Sequence, residues 1–232
     1  MSVNDLVLVQ GMADTKLALA RWNRNPGTVL LPWLGLSCAI TACLLVAVLV
    51  IAKVSTPDPT IWAIPGLNVD ATFADYLHVL YRNGLVLALH AMACVAGFIA
   101  GSSLPLSAAH RNGLSRWVHE KAGPLAIGFV VCATLFSLVT QAYALGDGAS
   151  TLANQLGVGP GLLLLAVSPH AVPELVALFL PLAAWMVASR NDDWQDLLAA
   201  TAVTVAIAVP VLLAAAAVEI WVSPQILRAI AS

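Results

Sequence analysis

The sequence predicts an all-α, polytopic transmembrane bundle of five spans, and three observations carry the prediction. Of the 232 residues, 60% are hydrophobic and 9% are charged, whereas a soluble domain carries roughly a quarter charged residues. The mean hydropathy of +0.91 makes lipid the solvent for most of the surface. Apolar stretches of about 20 residues, the length needed to cross a bilayer core, fall at 29–52, 83–103, 124–145, 171–189 and 197–222. The net charge of −2, with no basic stripe, excludes a nucleic-acid partner.

Residues 1–28 read as a cytoplasmic N-terminal segment preceding a single transmembrane domain over 29–228. Leu17, Leu19, Ala20 and Trp22 beside Lys16, Arg21 and Arg24 are the mixture of a helix lying on a membrane surface. The run that begins at Val29 is too long for the h-region of a cleaved signal peptide, so it stays as the first span. Residues 54–81 form an external loop carrying an interfacial helix over 70–81, where Phe73, Tyr76, Leu77, Leu80 and Tyr81 recur at helical spacing and Asp70 is placed to cap. That helix is either a lead-in to the second span or a docking helix.

In the second span, Ala93, Gly97 and Gly101 make a small-xxx-small face that admits another helix closely, in this chain or in a second copy. Cys38, Cys43, Cys94 and Cys132 lie in apolar runs without zinc-finger or CxxC spacing and read as small hydrophobes. His110, His119 and Glu120 belong to a solvated loop, because HEKAG lacks the second histidine of a zinc-protease helix. The piece 157–167, opened by GVGPG and closed by Ser168-Pro169, is too short to cross and predicts a re-entrant or interfacial helix before span four. Pro181 and Pro210 fall near the middle of spans four and five, where each frees a carbonyl and would kink its helix.

Orientation follows from Lys and Arg alone. Lys16, Arg21, Arg24, Arg111, Arg116, Lys121 and Arg190 fall on one side and Lys53, Arg82 and Arg228 on the other. The first side is expected to be cytoplasmic, with the N-terminus inside, the C-terminus outside and the 146–170 connection external.

An ionisable side chain inside a bilayer is costly and marks a functional candidate. His90, His170, Glu174 and Glu219 qualify, with Gln141 as a neutral addition. His170 and Glu174 are four residues apart and share a helical face, and Glu219 on an antiparallel neighbour would complete a cluster near the outer face. Such a set can lock two helices, relay protons or ions, or bind a divalent metal. No fourth ligand and no nucleophile or nucleotide loop accompanies it, so the sequence identifies no catalytic residue and no cofactor.

These residues also resemble a known family. Pro169-His170…Glu174-Leu175, the Ala214-Ala215-Ala216-Ala217-Val218-Glu219…Ser223-Pro224 end of the last span, and Arg82-Asn83-Gly84 leading into Gly97…Gly101 are similar to the stage II sporulation protein M (SpoIIM) family over residues 70–225. Ala171 stands where the family pattern has glycine, and Trp221 stands near a position that is commonly small. The resemblance implies a non-enzymatic membrane scaffold of the bacterial cytoplasmic membrane that organises cell-envelope partner proteins, in some cases as a homo-oligomer. A small transporter or channel using the His/Glu cluster is the alternative class, with an intramembrane metal-dependent enzyme as the third.

Overall fold

The computed structural model describes residues 7–103 and 113–231. The helices are α1 (Val7–Trp22), α2 (Gly27–Val54), α3 (Phe73–Phe98), α4 (Gly113–Leu156), α5 (Pro160–Asn191), α6 (Leu197–Ala217) and α7 (Ser223–Ala231). A π-helical turn, Ile99–Ser103, continues α3, a second, Val218–Val222, joins α6 to α7, and a 3-10 turn, Trp194–Asp196, precedes α6. Five of these stretches are long and apolar enough to cross a membrane. The protein is an all-α helical bundle, and the chain divides into two compact units.

Unit 1 comprises Met1–Ser37, Leu87–Thr134 and Phe179–Ile207. Its core gathers Trp33, Leu180, Ala183, Ala184 and Ala200. Small residues set the spacing here. A Cβ on Gly97 would stand 2.7 Å from Nε1 of Trp185, and one on Gly101 would stand 2.3 Å from the Trp194 ring, so the 93–97–101 face packs within its own unit against the end of α5 and the turn before α6. Residues 7–22 are also built into this unit instead of standing apart: Gly11 lies under Leu198, Trp22 packs edge-on to Trp33, and Arg21 forms an ion pair with Asp196.

Unit 2 comprises Cys38–Val86, Leu135–Leu178 and Ala208–Ser232, with Ala153, Leu163, Ala166 and Leu227 at its core. The connection between α2 and α3 is tied to α4 by side-chain bonds. The Asp58 N–H donates to Thr151 Oγ1 at 3.1 Å, the Trp62 N–H donates to Gln155 Oε1 at 3.1 Å, and Gln155 Nε2 returns a bond to the Trp62 carbonyl at 3.2 Å. Gly66 sits at φ +75, with Pro224 and the Ile220 carbonyl where a Cβ would be, and Arg228 donates to its carbonyl.

Several expected elements change at their ends. The interfacial helix over 70–81 is not separate: α3 runs unbroken from Phe73. Its cap is Thr72 rather than Asp70, because Thr72 and Asp75 bond reciprocally. The Thr72 N–H donates to Asp75 Oδ2 at 2.8 Å and the Asp75 N–H donates to Thr72 Oγ1 at 3.3 Å, a capping box. The re-entrant piece 157–167 is likewise absorbed into α5, which starts at Pro160, so the 146–170 connection shrinks to a short turn after Leu156. Pro169 lacks the N–H that would bond the Leu165 carbonyl, and the Ser168 hydroxyl donates to that carbonyl instead, at 2.7 Å. This is how a span tolerates an internal proline. Helices α5 and α6 likewise continue through Pro181 and Pro210. His119 and Glu120 lie on α4 and not in a loop, while His110 lies outside the described residues.

Coverage differs sharply among the spans. Within the apolar window of α5, 61% is buried, against 11% for α4. Leu125, Phe129, Phe136, Val139 and Tyr143 of α4 are exposed, as is Cys132. Phe129, Cys132, Phe136, Val139 and Tyr143 alternate by three and four residues, the spacing of a heptad seam, and Val131, Leu135 and Leu145 beside them are exposed as well.

The Gly97 contact predicts that Gly97→Leu lowers stability by about 1–3 kcal/mol, the scale of overpacking a filled core. Gly161, where a Cβ meets nothing within 4 Å, serves as the control. Thermal unfolding in detergent should show Gly161→Ala at or slightly above the parent melting temperature; equal melting of Gly97→Leu and the parent would show that the face is not packed.

Candidate functional site

The polar residues of unit 2 converge where α5, the π turn and α3 meet. His170 and Glu174 lie on one face of α5, one helical turn apart. His170 Nδ1 bonds Ser223 Oγ at 2.7 Å, and Ser223 is buried. The apolar span read from the sequence starts at 171, but α5 begins at Pro160, so the histidine sits inside the helix with its ring aimed at the start of α7.

Glu219 occupies the π turn Val218–Val222. Pro224 follows it, and having no N–H it cannot bond the Ile220 carbonyl four residues earlier; a wider turn at this point carries Ser223 to His170. π turns inside helices recur at functional positions. Trp221, in the same turn, stacks on Tyr76 with centroids 5.4 Å apart, and Tyr76 reaches the Leu213 carbonyl at 3.3 Å through its hydroxyl. The departure from the small residue common at position 221 is therefore occupied by an aromatic contact that fastens α3 to α6 and the π turn.

The Glu174 carboxylate interacts electrostatically with Glu219, with the Asn83 amide and with Arg82, and Glu219 also faces Arg82. Arg82 is the cation whose charge acts on both carboxylates, without a direct ion pair to either among the described residues. Glu174 Oε2 and Asn83 Nδ2 are both buried without a hydrogen-bond partner, a costly condition for polar atoms out of water. The cluster is therefore His170–Ser223 on one side and Glu174, Glu219, Arg82 and Asn83 on the other, rather than three ligands around one point. Among the described residues, no group of three or more His, Cys, Asp or Glu side chains is gathered as a metal ion would require.

Other candidates lie elsewhere. His90 is fully buried in unit 1 with its ring 5.5 Å from Phe179, and Gln141 bonds Ser137 on its own helix at 2.9 Å. Cys94 donates through Sγ to the Pro181 carbonyl at 3.1 Å. Sequence reasoning missed Arg82, Asn83 and Ser223 as members of the site. In the sequence Arg82 reads as a topology charge and, with Asn83, as part of the family resemblance, although an arginine and an asparagine in a long apolar helix are themselves a signal that something polar faces them.

The His170–Ser223 bond predicts that Ser223→Ala costs about 1–2 kcal/mol, the scale of a buried hydrogen bond that leaves its partner unpaired. Glu174→Gln removes one of two neighbouring carboxylates and should cost less than Ser223→Ala. Chemical denaturation of both variants checks the order; a larger loss for Glu174→Gln would mean that Arg82 and Asn83 hold the carboxylate more tightly than the orphaned oxygen indicates.

Comparison with known proteins adds one finding. Residues 122–224 match the family model described as Stage II sporulation protein M. That stretch contains α5, α6, the π turn and the greater part of α4, and so His170, Glu174, Glu219 and Ser223; Arg82-Asn83-Gly84 and Gly97…Gly101, also quoted for the resemblance, lie before it. No curated protein and no solved structure matches the chain. Its five apolar helices make the chain a multi-pass membrane protein, and its residues 122–224, which carry the His170 and Glu219 motifs, are similar to the SpoIIM family.

Proposed function

We propose that the protein is a scaffold of the bacterial cytoplasmic membrane that gathers other envelope proteins around its third span. The observation that carries this reading is the bare seam of α4, in which Phe129, Phe136 and Tyr143 repeat at seven-residue spacing and stay exposed while α5 is largely covered. Heptad spacing is what a partner helix requires. Several polar groups of unit 2 meanwhile fasten its helices: His170 to Ser223, Tyr76 to Leu213, and Arg228 to Gly66. A second copy of the chain and a different envelope protein are both candidate occupants of the seam.

The transporter reading has its own supporting observation, the two buried, unbonded polar atoms on Glu174 and Asn83. In that reading Glu174 exchanges a proton or cation, with Arg82 and Glu219 setting its charge balance. Proton flux in proteoliposomes that Glu174→Gln abolishes would favour it over the scaffold.

The orientation belongs to the same proposal: N-terminus inside and the 55–72 connection outside, from the seven-to-three Lys/Arg split. In intact cells, Ala63→Cys should react with an impermeant thiol reagent while Asp192→Cys does not; the reverse pattern overturns the orientation.

For the scaffold itself, the double variant Phe129→Ala/Phe136→Ala should keep its melting temperature yet release co-purifying envelope proteins, since an aromatic anchor at an interface centre contributes about 2 kcal/mol or more. An unchanged set of partners would show that the seam faces only lipid.

A further inference from the structure

Within unit 1, the ends of three spans meet at one crevice. The span Gly27–Val54 begins there, Pro160–Asn191 ends there and Trp194–Ala231 begins there, so the crevice lies at the level where hydrocarbon gives way to headgroups. Its volume is about 400 Å³, within the size range of small-molecule sites. One wall is apolar, made by Pro32 and Trp33 of α2 with Ala184 and Val187 of α5, and the rim carries Arg190 and Asp193. Trp22 closes one side, its ring edge-on to Trp33 at 5.3 Å and 87°. Tryptophan with one apolar and one wet edge suits this depth.

The charges at the rim are arranged in a particular way. Asp196, which also lines the crevice, is paired with Arg21. Arg190 is exposed, and among the described residues it forms no ion pair. Asp193 is half-buried, with its N–H on the Ala188 carbonyl and its own carbonyl on the Asp196 N–H, and among the described residues its carboxylate forms no ion pair. An occupant complementary to this rim and wall needs an apolar chain, an anionic group for Arg190 and a cationic donor for Asp193. A neutral hydrocarbon would leave both charges unsatisfied, and a purely anionic amphiphile would place its charge beside Asp193.

We propose that the crevice holds a zwitterionic phospholipid with a primary ammonium, a phosphatidylethanolamine, its phosphate on Arg190, its ammonium on Asp193 and one acyl chain along the Trp33–Ala184 wall. The primary ammonium matters because it donates N–H bonds to a carboxylate, which the quaternary ammonium of phosphatidylcholine cannot do. Such a lipid would join the N-terminal end of α2 to the α5–α6 turn.

The test uses full-length protein stripped of lipid in detergent and titrated with mixed micelles containing phosphatidylethanolamine, phosphatidylcholine or phosphatidylglycerol, read by native mass spectrometry and by melting temperature. Phosphatidylethanolamine should be retained best and raise the melting temperature most. Arg190→Gln and Asp193→Asn should each weaken its retention about tenfold, the scale of one charge-assisted hydrogen bond, while melting like the parent without lipid. Asp193→Asn should also erase the preference over phosphatidylcholine, and Arg190→Lys should keep most of the binding. Equal retention of the three lipids, stronger retention of phosphatidylglycerol, or variants that bind like the parent would each overturn the proposal. The headgroup ranking on the unaltered protein decides the matter even where a variant fails to fold.

Discussion

The approach of the 93–97–101 face to the indoles of Trp185 and Trp194 is the contact on which unit 1 depends. In lipid, apolar side chains gain little by leaving their solvent, and helices associate through close van der Waals contact and a few polar bonds. Glycine at 97 and 101 lets two large rings lie directly against the α3 backbone. With those rings in place, the alanines at 183, 184 and 200 and Trp33 close the core beside them, and α1 is held by Gly11 and by the Arg21–Asp196 pair. The same constraint reaches the crevice, since α5 and the turn before α6 supply its Arg190 and Asp193 as well as the two indoles.

Unit 2 is organised by a different problem, the backbone polar groups that prolines leave open. Pro169 deprives the Leu165 carbonyl of its donor, and Ser168 supplies one. Pro224 deprives the Ile220 carbonyl, and the chain answers with a π turn, with Gly66 lying against that carbonyl and with Arg228 fixing the Gly66 carbonyl in turn. The His170–Ser223 bond sits between these two adjustments. Its geometry therefore follows from how the helices accommodate Pro169 and Pro224.

The two features bear on function in complementary ways. Within each unit side chains lock helices together, and in the scaffold reading proposed above the exposed residues of α4 are what other proteins would meet. Glu174 and Asn83 carry two of the buried polar atoms without a hydrogen-bond partner among the described residues, and the transporter reading proposed above rests on them.

Hydrophobicity and length alone specified an all-α bundle with five crossing helices, because only helices of about 20 apolar residues satisfy their backbone in lipid. The motifs around His170 and Glu219 carried the resemblance to the SpoIIM family, and they lie in the stretch that the family model matches. Helix ends were less legible: α3 and α5 extend well beyond their apolar cores, since Thr72 with Asp75, and Ser168 with Pro169, supply bonds that a hydropathy window does not weigh. Residues 93, 97 and 101 announced a close approach by their spacing, but the identity of the approaching rings depended on contacts between stretches some 90 residues apart. For the same reason the His/Glu set read from helix spacing became a pair plus a charge cluster. Periodicity tells which residues share a face of one helix, whereas the partner of each face is set by packing between helices, which brought Ser223 to His170 and Arg82 to both carboxylates.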